Sequence, residues 1–69
     1  MEDKQAICNA LAKALQLTRN HSDLVAISYV AEEDMEFVII LWIGGTSKRI
    51  KVSMDSGTAM IRDILNGLR

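Results

Sequence analysis

Residues Phe37-Val38-Ile39-Ile40-Leu41-Trp42-Ile43 are apolar without interruption. A strand with one wet face alternates apolar and polar residues, whereas a strand covered on both faces reads as an unbroken apolar run. The run is far shorter than the roughly 20 residues of a membrane-spanning helix, so it reads as the central strand of a sheet. The chain has 69 residues in all, enough for helices over one face of a small sheet. The other face then calls for a second copy or a foreign partner.

A single domain of this length buries only about 60% of the surface its unfolded chain exposes, and association adds stability that so small a core lacks. With 49% hydrophobic residues, 25% charged and no proline, the composition is that of a folded domain and unlike that of a disordered chain. A net charge of -1 supplies no overall field toward a phosphate backbone. One cysteine, Cys8, excludes an internal disulfide and fits a reducing cytosol. The start Met1-Glu2-Asp3-Lys4 lacks the basic opening and apolar core of an export signal. A soluble cytoplasmic protein without a membrane partner is expected.

The chain divides at its turn signals into five segments. Ile7, Leu11, Ala14 or Leu15 and Thr18 recur at three- and four-residue spacing, which predicts an amphipathic helix over about 3–19. Its acidic start at Glu2 and Asp3 and its basic end at Arg19 complement the helix dipole, and Asn20 can adopt the left-handed conformation that stops it. A first strand over 24–31 places Val25, Ile27 and Tyr29 on one face, and Leu24, Ala26, Ser28 and Val30 on the other. Glu32-Glu33-Asp34 turns the chain into a second strand over 36–43, and Gly44-Gly45 turns it into a third over 47–54. Asp55 and Ser56 are N-cap residue types, and Met60, Ile61, Ile64, Leu65 and Leu68 mark a helix over 56–67. The fold expected is α+β, in the order α-β-β-β-α, with both helices on one face of a three-stranded antiparallel meander.

Register decides which side of the middle strand is open. With Gly44-Gly45 as a two-residue loop, Phe37, Ile39 and Leu41 face Val52, Ile50 and Lys48 in the core, and the open side carries Val38, Ile40 and Trp42 beside Arg49 and Lys51. If Thr46 joins the loop the parity flips, and Phe37, Ile39 and Leu41 lie beside the same Arg49 and Lys51. In both registers an apolar row meets two cations, which is the anatomy of an interface with an apolar centre and a polar rim. The first register is adopted: Val38, Ile40 and Trp42 form the centre, Arg49 and Lys51 the rim, and a homodimer is the expected occupant, since closed two-fold pairs are the commonest oligomers.

Chemistry is sparse. Cys8 and His21 lie thirteen residues apart with no third orienting group, and a lone cysteine behaves most often as a small buried hydrophobe. One His and one Cys do not make a structural zinc site, and Glu32-Glu33-Asp34 lacks the spacing of a calcium loop. Ser56-Gly57-Thr58 opens a helix and could hold an anion, but the Asp55 carboxylate would repel one from the same spot. No Walker or Gly-x-Gly-x-x-Gly pattern is present, and no cofactor or catalytic role is expected. The alternative is a nucleic-acid accessory protein using Lys48, Arg49 and Lys51 with Trp42 and Tyr29 as stacking platforms. A basic edge strand also keeps a sheet from pairing with another chain.

The order helix, three strands, helix is similar to that of the double-stranded-RNA-binding domain. The resemblance is one of element order: the basic cluster that opens that family's second helix corresponds here to Asp55-Ser56-Gly57-Thr58, an acid with no cation. The segment Val52-Ser53-Met54-Asp55-Ser56-Gly57-Thr58-Ala59-Met60-Ile61-Arg62-Asp63-Ile64 resembles the strand-to-helix part of small uncharacterised proteins of bacterial prophages and mobile elements. That resemblance implies a bacterial or phage intracellular setting and assigns no site.

Overall fold

A computed structural model of the chain describes residues 2–53 and 55–69. Helix α1 (Lys4–Gln16) is followed by β1 (Leu24–Ala31), β2 (Glu36–Trp42), β3 (Ser47–Val52) and helix α2 (Gly57–Gly67). The strands form one antiparallel sheet in the order β1-β2-β3, with α1 packed over β1 and α2 over β3. This is the α-β-β-β-α arrangement the sequence predicts. The expected last residue of the third strand, Met54, lies outside the described residues.

Helix α1 starts where Asp3 accepts a hydrogen bond from the Ala6 N–H at 3.0 Å, satisfying one of the free donors of the first turn. Its buried stripe is Cys8, Ala12 and Leu15, with Ile7 and Leu11 packed at the margin. The helix stops at Gln16, earlier than expected. Both the hydroxyl and the N–H of Thr18 donate to the Leu15 carbonyl, at 2.6 and 2.9 Å, and close the last turn. Asn20 does not take the left-handed conformation, because among the described residues only Gly44 and Gly45 have positive φ.

Strand β1 differs from strict alternation. Leu24 pairs with Trp42 and Ala26 with Leu41, so Val25 is an extra residue in a β-bulge. The bulge shifts parity below it, and Leu24 joins Ile27 and Tyr29 on the helix side while Val25 is left exposed.

Between β2 and β3 the Trp42 N–H donates to the Thr46 carbonyl at 2.8 Å, which makes Ile43-Gly44-Gly45 a three-residue loop. Gly44 and Gly45 have φ of +97° and +90°, where any side chain would be strained. Ile43 leaves the β3 ladder because its N–H donates to the Asp23 carbonyl at 2.9 Å, beyond the start of β1. The loop therefore gains Ile43, not Thr46, and the parity is that of the second register.

Ser56 caps α2, accepting from the Ala59 N–H at 3.2 Å. Met60 and Ile64 carry its buried face, and Leu65 falls outside it and is exposed. Gly67 lets the helix end close on β3, since a Cβ there would stand 2.6 Å from Ile50 Cδ1. The core between helices and sheet centres on Cys8, Ile27, Val38, Ile40, Met60 and Ile64, all fully buried.

Candidate interaction surface

The pairs Ile39↔Arg49, Leu41↔Ser47, Ser28↔Ile39 and Val30↔Phe37 define the side of the sheet that the helices leave uncovered. Its rows are Ala26, Ser28 and Val30 from β1, Phe37, Ile39 and Leu41 from β2, and Ser47, Arg49 and Lys51 from β3. The opposite side holds Val38 and Ile40, each 0% exposed beneath the helices, and Trp42, half-buried at the margin of the same core. The assignment of Val38, Ile40 and Trp42 to the open row is therefore corrected: the three-residue loop turns these side chains inward and turns Phe37, Ile39 and Leu41 out. Arg49 and Lys51 do lie on the open side, both exposed.

Within the open row, cover is uneven. Phe37 is only 3% exposed, yet it is not part of the core beneath the helices. The Arg49 guanidinium carbon sits 4.4 Å from its ring centroid, a cation–π stack that shields the ring from its own side of the sheet. Ile39 and Val30 are half-buried, Leu41 is 37% exposed and Ile43, at the hairpin tip, is 71% exposed. The apolar surface thus opens progressively from the Phe37 end of β2 toward the hairpin, with cations along one flank.

Among the described residues no buried side-chain nitrogen or oxygen lacks a hydrogen-bond partner. Lys4 Nζ donates to Glu36 Oε1 at 2.6 Å and lies 5.8 Å from the Tyr29 ring centroid, tying α1 to the start of β2. The hydrogen bond to Glu36 is the chief cause that raises the Lys4 pKa, and the same bond chiefly lowers that of Glu36. Burial, and then the Glu36 carboxylate, push the Tyr29 phenol up. Lys4 and Tyr29 line a shallow groove with Glu2, Asp3 and Gln5.

The start of α2 offers no vacancy for an anion, because Glu2 Oε1 already accepts from the Gly57 N–H at 2.9 Å. Asp55 instead accepts from the Ser53 hydroxyl at 2.9 Å. Cys8 is buried on α1, its thiol pKa raised by burial, while His21 belongs to the loop before β1, where its carbonyl accepts from the Leu24 N–H. Among the described residues no group of three His, Cys, Asp or Glu side chains is placed to hold a metal ion, and no helix is long and apolar enough to cross a membrane.

Sequence reasoning gave the outer row of Phe37, Ile39 and Leu41 only as the second of two parities. One partner of the contact that accompanies it is distant in sequence: the Ile43 N–H donates to the Asp23 carbonyl across the sheet. No family model, curated protein or solved structure matches this chain.

Proposed function

We propose that the chain is a small non-catalytic interaction module, working in a bacterial or phage cytoplasm, that pairs with a second copy of itself through the open sheet face. The observation that carries this reading is the row Val30, Ile39, Leu41, which neither helix among the described residues covers. Apolar patches left at a surface in this way mark interaction sites.

The charge layout supports one packing of the two copies. With a two-fold axis along the strands, β3 of each copy lies over β1 of the other, where Ala26, Ser28 and Val30 are uncharged. Lys51 then approaches the Glu32-Glu33-Asp34 turn of the second copy. An axis across the strands would set Arg49 and Lys51 against themselves. Strands about 4.8 Å apart and about 20 Å long give a face well below the roughly 800 Å² per partner of a standard interface, so weak, transient pairing is expected, with a dissociation constant between about 1 µM and about 1 mM.

The reading is tested by Ile39→Asp, which puts a carboxylate at the centre of the face. Sedimentation should find the variant folded and single where the unaltered chain is paired; a variant that pairs as well as the parent overturns the proposal. The second reading, a nucleic-acid accessory protein, draws on exposed Arg49 and Lys51. Single strands need stacking platforms beside the cations, and here Trp42 is on the opposite side while Phe37 is covered by Arg49. Loss of oligonucleotide retention at low salt in Arg49→Glu, with pairing intact, would favour that second reading.

A further inference from the structure

The two edges of the sheet are finished in opposite ways. Along β1, the Glu32 N–H donates to the Met35 carbonyl at 2.9 Å, so by antiparallel alternation Ser28 and Val30 bond to β2 while Ile27 and Tyr29 turn their main-chain groups outward. Gln5 of α1 takes one group from each: its Nε2 donates to the Ile27 carbonyl at 3.1 Å and its Oε1 accepts from the Tyr29 N–H at 2.8 Å. The carboxamide thereby supplies the donor and acceptor that a neighbouring strand would present. Gln16 Nε2 donates to the Leu24 and Val25 carbonyls at 2.8 and 3.2 Å and closes the bulge. Nothing can add to β1 without displacing these side chains.

Along β3 the same alternation starts from the Trp42 to Thr46 bond, so Lys48, Ile50 and Val52 bond to β2, and Ser47, Arg49 and Lys51 turn outward. The next outward N–H, that of Ser53, is taken by Asp63 Oδ2 of α2 at 2.7 Å. From Ser47 to Lys51 the outward main-chain groups have no hydrogen-bond partner among the described residues. One edge is obstructed by helix side chains from Leu24 to Tyr29, and the other is free from Ser47 to Lys51.

We infer that the β3 edge from Ser47 to Lys51 is a strand-addition site whose occupant is an extended acidic segment of another protein, laid down as a fourth strand. Main-chain bonds to a free edge supply affinity in such complexes and alternate side chains supply specificity. A second copy is the wrong occupant, because pairing β3 with itself sets lysine and arginine opposite one another, and like charges directly across a strand pair destabilise it. Asp or Glu at every second position of the incoming strand would instead stand beside Arg49 and Lys51 on the open side. The cations that keep copies from zipping together by this edge thus also choose the guest. This goes beyond the proposed pairing of sheet faces, since an edge stays free when two sheets stack.

The test uses the full chain and a fluorescent, acetylated and amidated peptide of alternating Glu and Val, followed by anisotropy at low salt. Saturable binding is expected, with at least about tenfold loss in the Arg49→Glu, Lys51→Glu variant, checked for native circular dichroism. The same peptide N-methylated on the residues that would bond to β3 should not bind the unaltered protein, a comparison that needs no variant. Equal binding of the methylated and unmethylated peptides, or no binding up to about 1 mM, overturns the inference. So does a single-stranded oligonucleotide that binds where the peptide does not, since that would make the cations a phosphate contact. Peptide binding by the single Ile39→Asp chain would support the edge site even if the sheet faces never pair.

Discussion

The two sides of β2 are made of the same kinds of residue and are covered by different means. Val38 and Ile40 are enclosed by helices from both ends of the chain, with Cys8, Met60 and Ile64 directly in the same core. Phe37, Ile39 and Leu41 have only their neighbours on the sheet, chiefly Arg49 stacked on Phe37, and the cover fails toward the hairpin. The contrast teaches that hydrophobicity did not decide which side became the core. The three-residue loop did, by setting the parity of every side chain before it.

The largest effect that should separate the two sides is a truncation on each. Ile40→Ala leaves a cavity under the helices and should cost about 2–5 kcal/mol in urea denaturation, a large share of the stability of so small a domain. Ile39→Ala, the same chemistry one residue away, removes half-exposed surface and should cost less than about 1 kcal/mol. Equal losses would erase the distinction between a covered and an open side.

A smaller effect probes how firmly the helix side is held at its edge, where Lys4 reaches Glu36. Because the folded Glu36 pKa is lowered, its contribution is present above the unfolded value of about 4.3 and is lost as pH falls through the lower folded one. Because the folded Lys4 pKa is raised, its contribution is present below about 10.4 and is lost as pH rises through the higher folded one. The contribution of this tie should therefore be constant between these limits, and the difference in urea midpoint between the parent and Lys4→Met should shrink at both ends. A Lys4→Met profile parallel to the parent would show that the tie contributes nothing.

Much of the fold was legible from the chain. The double-sided strand, the charged turn at Glu32-Glu33-Asp34, the Gly44-Gly45 hairpin and the Met60/Ile64 stripe are local signals, and they fixed the element order and the helix-covered sheet. What failed were features set by contacts distant in sequence. Val25 became a bulge at the place where Gln16, nine residues earlier, donates to its carbonyl. Ile43 entered the loop because Asp23 holds its N–H. Each moves parity by one residue: the bulge turns Leu24 to the helix side, and the three-residue loop exchanges Val38 and Ile40 for Ile39 and Leu41 as the surface row. Gln5 likewise looked like an ordinary polar helix position, and only the packed structure puts its carboxamide on the β1 edge.

The most direct test of the open face is sedimentation of the unaltered chain from about 1 µM to about 1 mM, a range that brackets the affinity expected for a contact of this size. The mass should rise from that of one chain to that of two and stop there, and Ile39→Asp should hold it at one across the same range. A single-chain mass throughout for the unaltered protein would contradict the claim that the Phe37, Ile39, Leu41 side of the sheet exists to be covered by a second copy.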